Sequence, residues 1–369
     1  MAYQNRVRYA VVGLGYIAQA AVLPAFFHAR ENSQLAALVS SDREKLRDLS
    51  KRYRVPNTYS YEQYEECLRS GQIDAVFIAL PNSMHREYSE RAARAGIHVL
   101  CEKPMAVTEE DCVAMIEAAR QNRVKLMIAY RLHFEEANLR AIDIVQSGKI
   151  GEPRVFNSTF TMQVKPGNIR LQREKGGGTL YDIGIYCINA ARYLFQAEPI
   201  EVVAVKAAGR EPRFAEVEEG LSAILKFPGE RLAAFTCSFG AADVAAYEVV
   251  GTKGSLRLDP AYEYATQLKQ RLKIEGKEKI KVFRKRDQFA PELVYFSDCV
   301  LHDREPEPSG EEGLADVRII QALYSSADTR TPVNVEAQPR KKRPSREQEI
   351  SRPAVSMPRL VNASGPSPE

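Results

Sequence analysis

Arg8-Tyr9-Ala10-Val11-Val12-Gly13-Leu14-Gly15-Tyr16-Ile17-Ala18 is the stretch on which the fold turns. Its first half is a short apolar run and its second half reads G-x-G-x-x-A. A strand that enters such a loop and leaves it as a helix needs each small residue for a different reason. Gly13 permits the tight turn, Gly15 lets the backbone approach a pyrophosphate, and Ala18 lets the helix pack closely on the sheet. The N–H groups and partial positive charge at the helix start then face the phosphates. Gly13, Gly15, Tyr16 and Ile17 are therefore candidate dinucleotide contacts. Pro24 is expected to interrupt the helix soon after it begins.

The same alternation continues outward. Strands are expected at Arg8–Val12, Leu35–Val39, Ala75–Ala79, His98–Cys101 and Lys125–Ala129, and their nearly uninterrupted apolar character suits a parallel sheet covered on both faces. Helices fall between them, at Ser83–Ala95 and at Glu109–Gln121, the latter opened by Thr108 with Asp111 three residues on. Strand alternating with helix predicts an α/β, doubly wound Rossmann domain over residues 1–130.

Beyond Tyr130 the texture changes. A helix is expected at Asn138–Ser147. Strands of more alternating character follow at Arg154–Val164, Glu201–Ala207, Leu221–Phe227, Arg231–Phe239, Tyr247–Gly251 and Ser255–Leu258. A helix at Gly178–Phe195 interrupts them, and two more are expected at Pro291–His302 and Glu311–Ala327. This pattern predicts a C-terminal α+β domain, residues 131–335, with an open, mainly antiparallel sheet. One face of that sheet is expected under helices and the other free for a subunit contact, giving a homodimer or homotetramer. Residues 336–369 are rich in Pro, Ser, Arg and Glu and are expected to form a disordered basic tail, with Lys341–Arg343 as a solvated or anion-binding run.

The tip after the second strand reads Ser40-Ser41-Asp42-Arg43-Glu44-Lys45. A carboxylate at the very tip favours a ribose 2′-hydroxyl. Here a small hydroxyl stands there instead, so Ser40 is expected to bond a 2′-phosphate and Lys45 to neutralise it. The cofactor expected is NADP(H), with NAD(H) kept open by Asp42. Ser40 as a mere turn residue and Lys45 as a solvated side chain are the plain alternatives.

The charge balance excludes other classes. Of the net +4, the stretch 331–369 contributes seven Lys/Arg against four Glu, so the rest is nearly neutral and no nucleic-acid partner is expected. Six cysteines occur without a C-x-x-C pair, which argues for buried reduced thiols, Cys101, Cys187 and Cys237 among them, and against a metal site. No apolar run is long enough for a membrane span and no leader-like segment is recognised, so a cytoplasmic location is expected.

Several motifs together resemble one family. They are Gly13–Ala18, Pro81-Asn82-Ser83-Met84-His85, Cys101–Met105 with Glu102-Lys103-Pro104, Ala129-Tyr130-Arg131, Gly176-Gly177-Gly178-Thr179-Leu180-Tyr181-Asp182-Ile183-Gly184-Ile185-Tyr186 and Gly310–Tyr324. The chain resembles the Gfo/Idh/MocA oxidoreductases, and within them the glucose–fructose and aldose–aldose oxidoreductases. The resemblance implies an NADP-dependent oxidoreductase acting on a sugar, with NADP either exchangeable or tightly bound for sugar-to-sugar transfer. It implies that Lys103 lies beside the nicotinamide and that Asp182 and Tyr186 supply the acid–base pair, tyrosine standing where most members carry histidine. Lys103, Asp182 and Tyr186 are the expected catalytic and substrate-binding residues. Arg170, in the loop before the glycines, is a further candidate substrate contact. Leu80, Pro81, Asn82, His85, Glu102 and Arg131 are expected around the cofactor, His85 as a packing neighbour rather than a base, and Arg131 equally as a surface ion-pair partner. The alternative implied by the same superfamily is a catalytically inactive, NADP-sensing regulatory protein.

The residue types suit the chemistry. A hydride leaving or reaching a sugar carbon must be matched by a proton at its oxygen. Asp182 and Tyr186 are four apart and share one helix face. A free tyrosine titrates near 10. A neighbouring ammonium and an oxidised nicotinamide both favour the phenolate, which lets the side chain accept and return the hydroxyl proton.

Overall fold

The computed structural model describes residues 6–336 and 343–368, which divide into two compact units. Among the described residues, the first comprises 6–131, 286–314 and 351–365, and the second 132–285, 315–336, 343–350 and 366–368. Among the described residues no helix is long and apolar enough to cross a membrane.

The first unit is built on six parallel strands: β1 (Val7–Val12), β2 (Ser33–Val39), β3 (Asn57–Tyr59), β4 (Ala75–Ile78), β5 (His98–Glu102) and β6 (Leu126–Ala129). Their order is β3-β2-β1-β4-β5-β6, the doubly wound arrangement in which the order reverses beside β1. All four residues of β4 and all four of β6 are buried, as a sheet covered on both faces requires. The helix Glu109–Gln121 starts where expected, with the Thr108 hydroxyl accepting the Asp111 N–H at 3.1 Å. Ahead of Pro24 the chain takes a π-helical turn, Ala18–Val22, and only Leu23–Ala25 continue as α-helix. The interruption expected from Pro24 thus begins one turn earlier, as a wider turn.

The second unit carries a nine-stranded sheet. Its members are β7 (Pro153–Gln163), β8 (Glu201–Ala207), β9 (Gly220–Phe227), β10 (Arg231–Ser238), β11 (Gly240–Gly251), β12 (Gly254–Leu258), β13 (Leu268–Ile274), β14 (Lys277–Phe283) and β15 (Val333–Asn334). The order is β14-β13-β12-β11-β7-β10-β9-β8-β15, antiparallel except between β7 and β10. Helices Glu136–Gln146 and Ile185–Phe195 bury most of their residues, and the sheet residues facing the other way stay open, including Val205, Ile224 and Val244. A fully buried Arg192 ties this core together: its guanidinium pairs with Glu198 at 2.5 and 3.0 Å and with Asp316 at 2.5 Å, and Asn189 donates to Asp316 at 2.7 Å. A guanidinium fork facing two carboxylates fixes side-chain directions that an apolar cluster would leave free.

Two expectations about organisation are corrected. The domains are not contiguous in sequence. The helix Ala290–Leu301 belongs to the first unit, where Ser297 bonds the Tyr9 hydroxyl and the Ser33 hydroxyl at 2.7 Å each and Phe296 packs on Tyr9. The tail is not disordered over 343–368. Arg343 donates to Glu198 at 2.8 Å, Ser345 and Gln348 form a capping box, and the Ile350 N–H reaches the Phe134 carbonyl at 3.3 Å. Such a segment needs no core of its own, because it spends polar groups on surfaces that are already folded. Lys341 and Lys342 of the basic run lie outside the described residues.

Candidate active site

In the first unit the phosphate loop has the close backbone approach that its glycines require. Gly13 sits at φ +92°, and a Cβ there would lie 2.5 Å from the Ala79 carbonyl oxygen. Around Gly15 the position a Cβ would take is open, with nothing within 4 Å. Gly15, Tyr16 and Ile17 are the half-exposed residues of the loop, while Gly13, Leu14 and Ala18 are buried. A dinucleotide pyrophosphate fits this cradle, since the main chain is free to be approached at Gly15 and the loop opens a helix.

The β2 tip is arranged differently from expectation. Ser40 is only 3% exposed, and its hydroxyl oxygen accepts the Asp42 N–H at 3.2 Å. Asp42 caps the helix Arg43–Tyr53, its carboxylate accepting from the N–H groups of Glu44 and Lys45 at 2.9 and 3.0 Å. The Lys45 N–H is the main reason the Asp42 carboxyl titrates below its ordinary range. Lys45 Nζ is 4.0 Å from that carboxylate. Ser41, Arg43 and Glu44 are the exposed polar side chains at the tip, and the sequence reading assigned none of them a role.

Beyond β4, Leu80 is buried while Pro81 and Asn82 are half-exposed. His85 is completely buried, with Nδ1 2.9 Å from the Pro104 carbonyl and Nε2 2.9 Å from the Leu80 carbonyl. Burial pushes its pKa below the ordinary imidazole value, although both carbonyls pull the other way. With no surface left for a ligand, this ring braces the loop that follows β5 against the loop that follows β4. That corrects its reading as a cofactor neighbour. The braced loop carries Lys103, which is half-exposed and precedes a cis proline, Pro104.

Behind that loop lies a buried polar cluster. Arg131 is 6% exposed and donates to the Gln288 side-chain oxygen, so it is no surface ion-pair residue. Glu292 is fully buried and neither of its carboxyl oxygens has a hydrogen-bond partner. Burial first, then the nearby charge of Glu102, hold its carboxyl well above the usual carboxylate range, against the pull of Arg131.

In the second unit, Gly176, Gly177 and Gly178 bring the chain against its own preceding loop. The Gly177 N–H bonds the Gln172 carbonyl and the Gly178 N–H the Arg170 carbonyl, both at 3.0 Å. A Cβ on Gly177 would collide with the Arg170 carbonyl, and one on Gly178, at φ +135°, with the Tyr324 hydroxyl. The close approach sets Arg170 beside Asp182, with Nε donating to Oδ2 at 2.6 Å. Burial works against the Arg170 charge, but Asp182 outweighs it, helped by Tyr186 and Tyr264, and raises its pKa. Asp182 lies in a π-helical turn, Leu180–Gly184, that runs into the helix Ile185–Phe195. From Leu180 to Asn189 only Asp182 and Tyr186 are half-exposed, so the pair does share the open face. The Tyr186 ring packs edge-on against Phe160 at 5.5 Å and at a tilt against Tyr262 at 5.8 Å.

Glu218 was missed by sequence reading. One carboxylate oxygen accepts from the Thr179 N–H at 2.7 Å, the Thr179 hydroxyl at 2.6 Å and the Tyr324 hydroxyl at 2.9 Å. It pins the start of the Asp182 segment, and the only sequence signal nearby was the run of glycines before Thr179.

A doubly wound unit with an open phosphate cradle, joined in one chain to an open-sheet unit that presents an Arg–Asp–Tyr cluster, defines a nucleotide-dependent oxidoreductase. Residues 7–130 match the oxidoreductase family with an NAD-binding Rossmann fold, and residues 138–257 match the GFO/IDH/MocA C-terminal domain. The chain belongs to the Gfo/Idh/MocA oxidoreductase family. It is 36% identical over 343 residues to the D-xylose 1-dehydrogenase [NADP(+)] of Haloarcula marismortui, covering 91% of this chain and 95% of that protein. The crystal structure of aldose-aldose oxidoreductase from Caulobacter crescentus, complexed with glycerol, superposes with a TM-score of 0.85 at 40% identity, covering 89% of this chain and all of that one. A 3-ketoreductase from Actinomadura kijaniata, in complex with NADP and TDP-benzene, gives 0.80 at 29% identity, covering 87% of this chain and 98% of that one.

Glu292 yields a pH prediction. Its folded-state pKa is raised above the unfolded value, so the stability it contributes is present below the unfolded carboxylate pKa and is lost as pH rises through the folded one. Glu292→Gln should therefore be more stable than the parent at alkaline pH and show a flatter stability profile. Urea midpoints measured across pH check this, and parallel profiles for the two proteins would contradict it.

Proposed function

We propose that this protein is an NADP(H)-dependent sugar oxidoreductase, moving a hydride between the nicotinamide and a carbon of an aldose or related cyclic sugar. The observation that carries the reading is the Asp182–Tyr186 pair, the open residues of an otherwise buried segment, with Asp182 fixed by Arg170. The activities of the relatives, xylose dehydrogenation with NADP and aldose–aldose oxidoreduction, support the substrate class. Bound NADP supplies the hydride acceptor or donor.

In the oxidative direction the sugar loses a hydride from carbon and a proton from the attached hydroxyl, leaving a carbonyl. Tyr186 Oη takes that proton and returns it in the reverse direction. Lys103 hydrogen-bonds the sugar oxygen and steadies its developing charge. Asp182, held by Arg170, orients a neighbouring hydroxyl. Arg170 thus acts through Asp182 rather than on a sugar acid. On the cofactor side the roles fall to the main chain from Gly13 to Ile17, to Pro81 and Asn82, to Glu102 beside Lys103, and to the Ser40–Lys45 tip for the 2′-phosphate.

Tyr186→Phe keeps the ring packing and removes the proton carrier. It should lower kcat roughly a hundredfold to ten-thousandfold in steady-state assays with an aldose, with KM little changed. Unchanged kcat would remove Tyr186 from the chemistry.

The sheet face left open by the helices exposes Val155, Val205, Ile224, Leu232, Val244 and Val250. We propose that a second copy of the chain covers it, since an apolar patch of this kind on a lone protein marks an interface. Size-exclusion chromatography with light scattering should give a dimer or tetramer, and a monomer at micromolar concentration would refute the interface.

A further inference from the structure

Residues 351–365 lie in the same compact unit as the doubly wound sheet, and their later contacts reach the phosphate loop and the β2 tip. The segment is tied down first at Arg352. Its carbonyl accepts the Asp287 N–H at 3.2 Å, its Nε donates to the His28 carbonyl at 3.1 Å, and its guanidinium pairs with Glu31. Further on, the Arg359 carbonyl accepts from Arg52 at 2.6 Å, on the helix Arg43–Tyr53.

The decisive clasp is at Val361. Its N–H donates to Gln19 Oε1 at 2.8 Å and its carbonyl accepts from Gln19 Nε2 at 2.9 Å. The same Gln19 Nε2 reaches the Leu14 carbonyl at 2.9 Å, inside the phosphate loop. Gln19 is completely buried, so its carboxamide is fully committed to these bonds. Next, Asn362 at φ +45° donates to Asp42 at 3.1 Å and to Glu44 at 2.9 Å, a neutral amide set against two carboxylates of the β2 tip. Gly365 then lies against the ring of Tyr16, where a Cβ would stand 3.4 Å from Cε2.

We propose that residues 351–365 form a strap that closes over a dinucleotide held between the phosphate loop and the β2 tip, and that it slows the cofactor's release. The strap is held at the phosphate loop through Gln19, which itself bonds the Leu14 carbonyl, and through Tyr16, and at the β2 tip through Asp42 and Glu44. A cofactor beneath it leaves only after the Val361–Gln19 pair and the Asn362 amide let go. The consequence for function is retention: a sugar oxidised on one visit leaves reduced cofactor in place for the next sugar. This inference rests on the NADP(H) reading above, and the experiment separates the two.

The full chain and a chain ending at Ile350 are each loaded with NADPH, then mixed with excess NADP+, and the loss of bound-NADPH fluorescence is followed. Release from the shortened chain should be at least tenfold faster. Because removal of the segment can disturb folding, Asn362→Asp serves as the second variant. A third carboxylate beside Asp42 and Glu44 should speed release severalfold at low salt, and the effect should shrink as salt screens it. Equal or slower release from both variants, with NADPH bound at the outset, overturns the strap and leaves the cofactor reading intact. No NADPH binding by the full chain overturns both.

Discussion

Main chain packed closer than any Cβ allows is the constraint on which the rest depends. At Gly13 it sets the phosphate loop against the Ala79 carbonyl, and at Gly177 it sets the Asp182 segment against the Arg170 carbonyl. In both places the backbone bends into a conformation that only glycine takes without strain at Gly13 and Gly178, and the bend aims a neighbouring group. At the first site that group is the open backbone of Gly15. At the second it is Arg170, whose guanidinium then fixes Asp182. The functional side chains contribute chemistry, while their positions come from the glycines beside them.

Buried polar groups do the remaining positioning, and they differ in how well they are satisfied. Arg192 has carboxylates on two sides and Glu218 receives three donors, so each fixes the elements around it. His85 is wedged between the Pro104 carbonyl of the Lys103 loop and the Leu80 carbonyl of the loop after β4, 2.9 Å from each. Glu292 is the outlier, a carboxyl with neither oxygen hydrogen-bonded, behind the same loop. A buried charge without partners is costly, which is why the protonated form is favoured there.

Much of the architecture was legible in the sequence because parallel and antiparallel sheets leave different hydrophobic rhythms. The continuous apolar runs of β1, β4 and β6 and the alternation along β9 and β10 stand out from their neighbours. The hairpin β13–β14 did not. Its strands, Leu-Lys-Gln-Arg-Leu-Lys-Ile and Lys-Glu-Lys-Ile-Lys-Val-Phe, are dominated by charge, as suits a sheet edge kept from pairing further. Nor did the sequence say that Ala290–Leu301 covers the first sheet, since an apolar helix face carries no mark of the sheet it packs on. The tail was misread because composition measures the capacity to form a core, and this segment holds itself by paired polar groups instead. At the proposed site, Lys103, Asp182 and Tyr186 came from the family resemblance, and the four-residue spacing only placed Asp182 and Tyr186 on one helix face. Glu218 and Tyr324 were not, because their roles arise from contacts 39 and 106 residues apart.

On the proposed reading, one unit supplies a cradle for a dinucleotide and the other a tyrosine that carries the proton, and the proposed strap would keep the cradle from emptying at every turnover. The most direct measurement is absorbance in the reduced-nicotinamide band as a panel of aldoses is added to the protein with NADP+. The account predicts that the band grows with at least one aldose and fades again when a second, reducible sugar follows. A flat spectrum with every aldose, with NADP+ and with NAD+ alike, would contradict it.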